Sequence, residues 1–132
     1  MRGRHFIRGV ISIEDPVRFE VGGTTLARTT HCLEVVEADE PVSFYVPSTD
    51  VDRRHLVPSG AVLVCEERGA AEMFDIVVDN LRLKRAAWIY PMPRQAYADL
   101  HDHIGFDGRH VALINEAPAR RVPFPTKTRR DA

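Results

Sequence analysis

Ala86-Ala87-Trp88-Ile89-Tyr90-Pro91-Met92-Pro93 joins a strand-like run to a helix-like run, and its reading decides the fold. It carries the only tryptophan of the chain, a tyrosine and two prolines. Aromatic rings bring large buried area, while indole N–H and phenol O–H each need a polar partner. Prolines fix the path of the exit and tolerate a cis bond better than other residues. The stretch is therefore a rigid corner, either an anchor of the core or one wall of a pocket.

Upstream of this corner, period-2 alternation dominates. Phe19 and Val21 share a face, and Gly22-Gly23 reads as a hairpin turn before Thr24-Thr25-Leu26. Cys32 to Glu37 reads as a strand with Leu33 and Val35 on one side, and Val42 to Val46 as another with Phe44 and Val46 together. Ala61 to Cys65 is a continuous apolar run, the pattern of a strand buried on both faces. Phe74, Ile76 and Val78 alternate before an Asp79-Asn80 turn, and Leu81 and Leu83 continue with Arg82 and Lys84 outward. Downstream, Tyr97, Leu100, His101 and Ile104 recur at helical spacing, with Pro93 before and Gly105 after. His110 to Ile114 reads as a last strand. The pattern predicts a mainly β fold of about eight short antiparallel strands in two packed sheets, as a tent, sandwich or partly open barrel, with one short helix near 94–104.

A chain of 132 residues has the size of one domain. Residues 1–116 read as the β-rich body, and the proline- and arginine-rich stretch 117–132 as an extended tail on which Val122 and Phe124 are docking points. The formal net charge of −1 gives no general pull toward nucleic acid or anionic membrane. No run approaches the roughly 20 apolar residues of a membrane span. Arginines 2, 4 and 8 are followed by Glu14 and Asp15 with no long apolar core between, so a secretory signal is not expected. Cys32 and Cys65 form no CxxC pair and read as free thiols of a cytoplasmic protein.

Two carboxylates share parity with inward positions: Glu37 with Leu33 and Val35, Glu72 with Phe74, Ile76 and Val78. A carboxylate facing an apolar interior must be paired, hydrogen-bonded or protonated, and such a group suits general acid–base work. The structural alternative is that each sits at a strand end, where parity stops meaning burial. Tyr45, opposite in facing to Phe44, either donates its hydroxyl to a substrate or caps the sheet. Cys65 is either a thiol tuned by Arg68 or a buried inert cysteine. Arg68 either holds an anionic ligand by a bidentate contact or pairs with a neighbouring glutamate, and Trp88 and Tyr90 would form an aromatic wall. Two histidines at i and i+2, His101 and His103, diverge on a helix, so no metal site is expected, and no cofactor motif is present.

These motifs resemble the domain of unknown function 427 family, small bacterial proteins also filed under a nucleotidyltransferase-like label. The resemblance rests on Arg18 to Gly23, Leu33 to Glu37, Phe44 to Val51, the AWxYPxP signature at Ala87 to Pro93, and His103 to Phe106. The family's His-Cys-x-x-Lys-Gly element stands here as Val64-Cys65-Glu66-Glu67-Arg68-Gly69, so histidine is lost and lysine is replaced by arginine. The resemblance implies two antiparallel sheets meeting at an angle, and its label implies nucleotidyl transfer. That reaction needs a metal-binding carboxylate set and a phosphate cradle, and neither is visible in the sequence.

The expectation from the residues is a small-molecule pocket between the sheets. Its form is a cofactor-independent acid–base enzyme of cyclase, isomerase, lyase or hydrolase type. Glu37, Glu72 and Tyr45 are the catalytic candidates; Arg68, Cys65, Trp88 and Tyr90 are the substrate contacts. The alternatives are a non-catalytic interaction module using a sheet edge or the tail, and nucleotidyl transfer. A homodimer is expected for a β protein with open edges.

Overall fold

A computed structural model describes residues 8–118. Among them, ten strands form two antiparallel sheets. The strands are β1 (Arg8–Ile13), β2 (Val17–Val21), β3 (Thr24–Thr29), β4 (Cys32–Glu37) and β5 (Ser43–Pro47), then β6 (Leu56–Cys65), β7 (Gly69–Val78), β8 (Leu81–Ile89), β9 (His103–Asp107) and β10 (Ala112–Asn115). The large sheet has the order β1-β4-β5-β9-β8-β7-β6, and the small sheet the order β10-β2-β3. The proline- and arginine-rich tail expected at 117–132 lies almost wholly outside the described residues. No helix among these residues is long and apolar enough to cross a membrane.

The small sheet covers one face of the large one. Phe19 of β2 stacks on Phe106 of β9 at 5.4 Å between ring centroids and meets Phe44 of β5 at 5.8 Å. Val17, Leu26, Val46, Ile76, Ala87 and Ile104 complete this core. The alternate residues of the same strands build a second cluster on the opposite face: Val35, Tyr45, Ala71 and Met73, with Tyr90, Tyr97 and Leu100 laid over them. Two cores on two faces explain why nearly every large-sheet strand is apolar on both sides.

Four expectations are corrected. The helix near 94–104 is a 3-10 segment, Gln95–Leu100, kinked at Tyr97. His103 and Ile104 already belong to β9, and His101 is exposed rather than core-facing. Helical spacing arose because Tyr97 and Leu100 anchor a tight turn while Ile104 is buried by a strand. Ala61–Cys65 is not doubly covered: it ends β6, the outermost strand, where Val62, Leu63 and Val64 are 58%, 46% and 74% exposed. An apolar run reports the side chains, not whether a neighbouring layer reaches them. β1 escaped the period-2 reading because it interleaves apolar residues with Arg8, Gly9 and Ser12. The last strand begins at Ala112 rather than His110, and it pairs with β2 in the small sheet.

Candidate functional site

The site grows from Gly105. On the face away from the small sheet, its neighbours across the strands are Tyr45 on one side and Trp88 on the other. A Cβ at this position would lie 2.5 Å from Trp88 Nε1 and 2.7 Å from Tyr45 Cε2. Glycine therefore lets the two rings meet over the β9 backbone. Trp88 Nε1 donates to Tyr45 Oη at 2.9 Å, with the rings edge-on at 6.3 Å. The polar tip of each aromatic is thus satisfied by the other.

Arg68 lies over this pair. It belongs to the β6–β7 turn, and the corner after Tyr90 holds that turn in place. Arg94 N–H donates to Arg68 O at 2.8 Å, and Gly69, at φ +117°, passes so close to Met92 that a side chain there would crowd its carbonyl. Arg68 is buried, at 9% exposure. Its Nη2 meets Glu37 Oε1 at 2.8 Å, its Nη1 approaches Tyr45 Oη at 3.4 Å, and its face lies 5.6 Å from the Tyr97 ring centroid. Tyr97 Oη donates to the other Glu37 oxygen at 2.6 Å. Burial works against the charge on Arg68, but Tyr45, Tyr90 and Glu37 outweigh it and hold the group firmly protonated. Burial and the neighbouring Tyr45 push the Tyr90 phenol well above its ordinary range, against a hydrogen bond from Arg68.

A cavity of about 520 Å³ opens on this face, within the size range of small-molecule sites. Glu37, Arg68, Trp88, Tyr90, Cys65 and Ser43 are among its lining. Two of the lining residues each hold a buried polar atom without a hydrogen-bond partner among the described residues: Ser43 Oγ and Arg68 Nε. Beside Ser43, its partner across the β5–β9 ladder, Asp107 is held by Arg109 through contacts of 2.8 to 3.1 Å. Burial pushes the Asp107 carboxyl upward, and the Arg109 bonds more than reverse this, leaving it below the usual range.

The expected residues therefore sort unevenly. Glu37, Arg68, Cys65, Trp88 and Tyr90 all line the cavity, and the glutamate that pairs with Arg68 is Glu37 of a distant strand, not the neighbouring one expected. Tyr45 does not line it; wholly buried, it supports Trp88 and Arg68 from beneath. Glu72 does share the face of Phe74 and Ile76, but this is the other side of the sheet, beyond the reach of the small sheet, and Glu72 is exposed. Sequence reasoning missed Ser43 and the closing role of Tyr97. Ser43 carried a usable signal: it alternates with Phe44 and so shares the face of Tyr45. Both cysteines are free, Cys32 buried and Cys65 half-buried.

A family model described as a Domain of unknown function (DUF427) and labelled NTP_transf_9 matches residues 10–117. No curated protein matches the chain.

Proposed function

We propose, from the premise that the chain belongs to the Domain of unknown function (DUF427) family, that it is a binding domain for a small, flat, uncharged molecule seated against Trp88. One observation carries the reading: Ser43 and Arg68 line the same cavity, and each holds a buried polar atom, Oγ and Nε, without a partner among the described residues. An unsatisfied buried polar group costs on the order of 1–3 kcal/mol, which a ligand's acceptor would recover. The charge balance argues for a neutral acceptor such as a carbonyl. Arg68 is already matched by Glu37 and Asp107 by Arg109, so these lining pairs carry little net charge. The exposed part of the indole supplies the flat apolar surface.

Binding is favoured over acid–base turnover. Of the two expected carboxylates only Glu37 lines the cavity, and both of its oxygens are engaged, one by Arg68 and one by Tyr97. Nucleotidyl transfer is favoured least. It needs converging metal ligands, and the described residues bring together no three His, Cys, Asp or Glu side chains suited to that task.

Benzamide, benzoate and benzylamine share a ring and differ in charge, so titrating each against the emission of Trp88 tests the reading. Benzamide should saturate, with the two charged analogues about tenfold weaker, and Ser43→Ala should weaken benzamide while leaving the fold intact. Preference for benzoate would make this an anion site; no saturable change with any of the three would remove the pocket from consideration.

A further inference from the structure

Among the described residues β6 is paired on one side only, with β7. Exposed edges are normally guarded by a charge, a proline or a bulge. Here the irregularity lies between Pro58 and Val62, and the first charge is Glu66. Between them Val62-Leu63-Val64 presents three consecutive exposed apolar side chains on an open strand. We propose that this edge pairs with the same edge of a second copy of the chain, antiparallel about Leu63.

The sequence of the edge selects both the occupant and the register. A twofold contact must be complementary to itself. With Leu63 on the axis, Val62 faces Val64 of the second copy and Ala61 faces Cys65, and the ladder ends before Glu66 and Glu67 of the β6–β7 turn. Branched apolar residues then lie opposite one another, and no carboxylate meets a carboxylate. An axis at Cys65 would set Val64 against Glu66 and Leu63 against Glu67. An axis at Ala61 would set Val64 against Pro58, inside the irregular stretch. Of these three axes, only the one at Leu63 sets the two valines opposite each other.

Such pairing would run two seven-stranded sheets into one, with the cavity faces on the same side. Leu63 and Cys65 line the cavity, so the two cavities would flank the axis with Leu63 of each copy between them.

Sedimentation over a range of concentrations tests the pairing on the full chain. The wild type should run at twice the 14.9 kDa of one chain. Val64→Lys, at a position 74% exposed, should weaken dimerisation by at least about tenfold with its thermal melt as a monomer intact. Opposed residues of an antiparallel pair stand within disulfide reach, so Leu63→Cys in a Cys65→Ser background should form a covalent dimer on mild oxidation. A monomeric wild type would overturn the proposal and leave the edge to a strand of another chain. So would a dimer indifferent to Val64→Lys, or one in which Leu63→Cys fails to cross-link.

Discussion

The guanidinium of Arg68 works under opposed constraints, burial that penalises its charge and a ring of Glu37, Tyr45 and Tyr90 that preserves it. Removing one charge of a pair this deep leaves the other uncompensated. Glu37→Gln is therefore expected to cost about 3 kcal/mol in urea unfolding, and joint replacement by Glu37→Leu with Arg68→Met to cost less than the sum of the two single changes. Strict additivity would show the pair to be uncoupled. Gly105→Ala should cost about 1–3 kcal/mol through overpacking and shift the Trp88 emission, because the new methyl occupies the space between the indole and Tyr45. At this scale the sequence was partly legible. Strand parity put Glu37 on the same face as Leu33 and Val35, which is where it points. The same rule failed for Glu72, since parity assigns a face but does not say which face holds the cavity or how far a covering sheet extends. The bond from Tyr97 to Glu37 spans 60 positions and leaves no local pattern.

Between β7 and β8 the register slips, so that Ile76 faces Leu83 while Phe74 faces Ala87. Asp75 fills the break. It accepts from Arg85 N–H at 2.9 Å, where the backbone turns to φ 54°, and from Arg82 Nε at 2.8 Å. The Arg85 N–H, with Arg82 in support, holds the Asp75 carboxyl below its ordinary value despite some desolvation. A carboxyl lowered in the folded state contributes fully above its unfolded pKa, near 4, and its contribution drains as pH falls through the folded value. Asp75→Asn should thus be less stable than wild type at pH 7, with the gap narrowing as pH drops below about 4. A constant gap between pH 7 and pH 3 in denaturant melts would rule this out. This bulge went unread: alternation was followed only as far as Lys84, although Arg85 falls at the parity of Leu81 and Leu83. The 3-10 segment was misread for a related reason: Tyr97 and Leu100 carry helical spacing over a span too short to distinguish one turn from a helix.

Across the whole molecule, the two cores on opposite faces of one sheet give the two cysteines different fates. Cys32 is fully buried in the covered core, where burial pushes its thiol up to about 12, whereas Cys65 is half-buried at the cavity. An aromatic disulfide reagent should therefore titrate one thiol in the native protein and two in denaturant. Two fast thiols in the native state would contradict the packing around Cys32. The fold class was legible because alternation and the Gly22-Gly23 turn are local signals. The strand order was not, because β5 pairs with β9 across the intervening β6-β7-β8 meander. That seam has a kinetic consequence. Successive hairpins close short loops, whereas joining β5 to β9 closes a long one, so the seam is expected to zip late. Tyr45, Gly105 and Trp88 straddle it, and the floor of the cavity comes into being only as the last contacts of the sheet are made. An occupant would then recognise the finished molecule alone: it would slow the escape from the native state and leave the rate of arrival untouched.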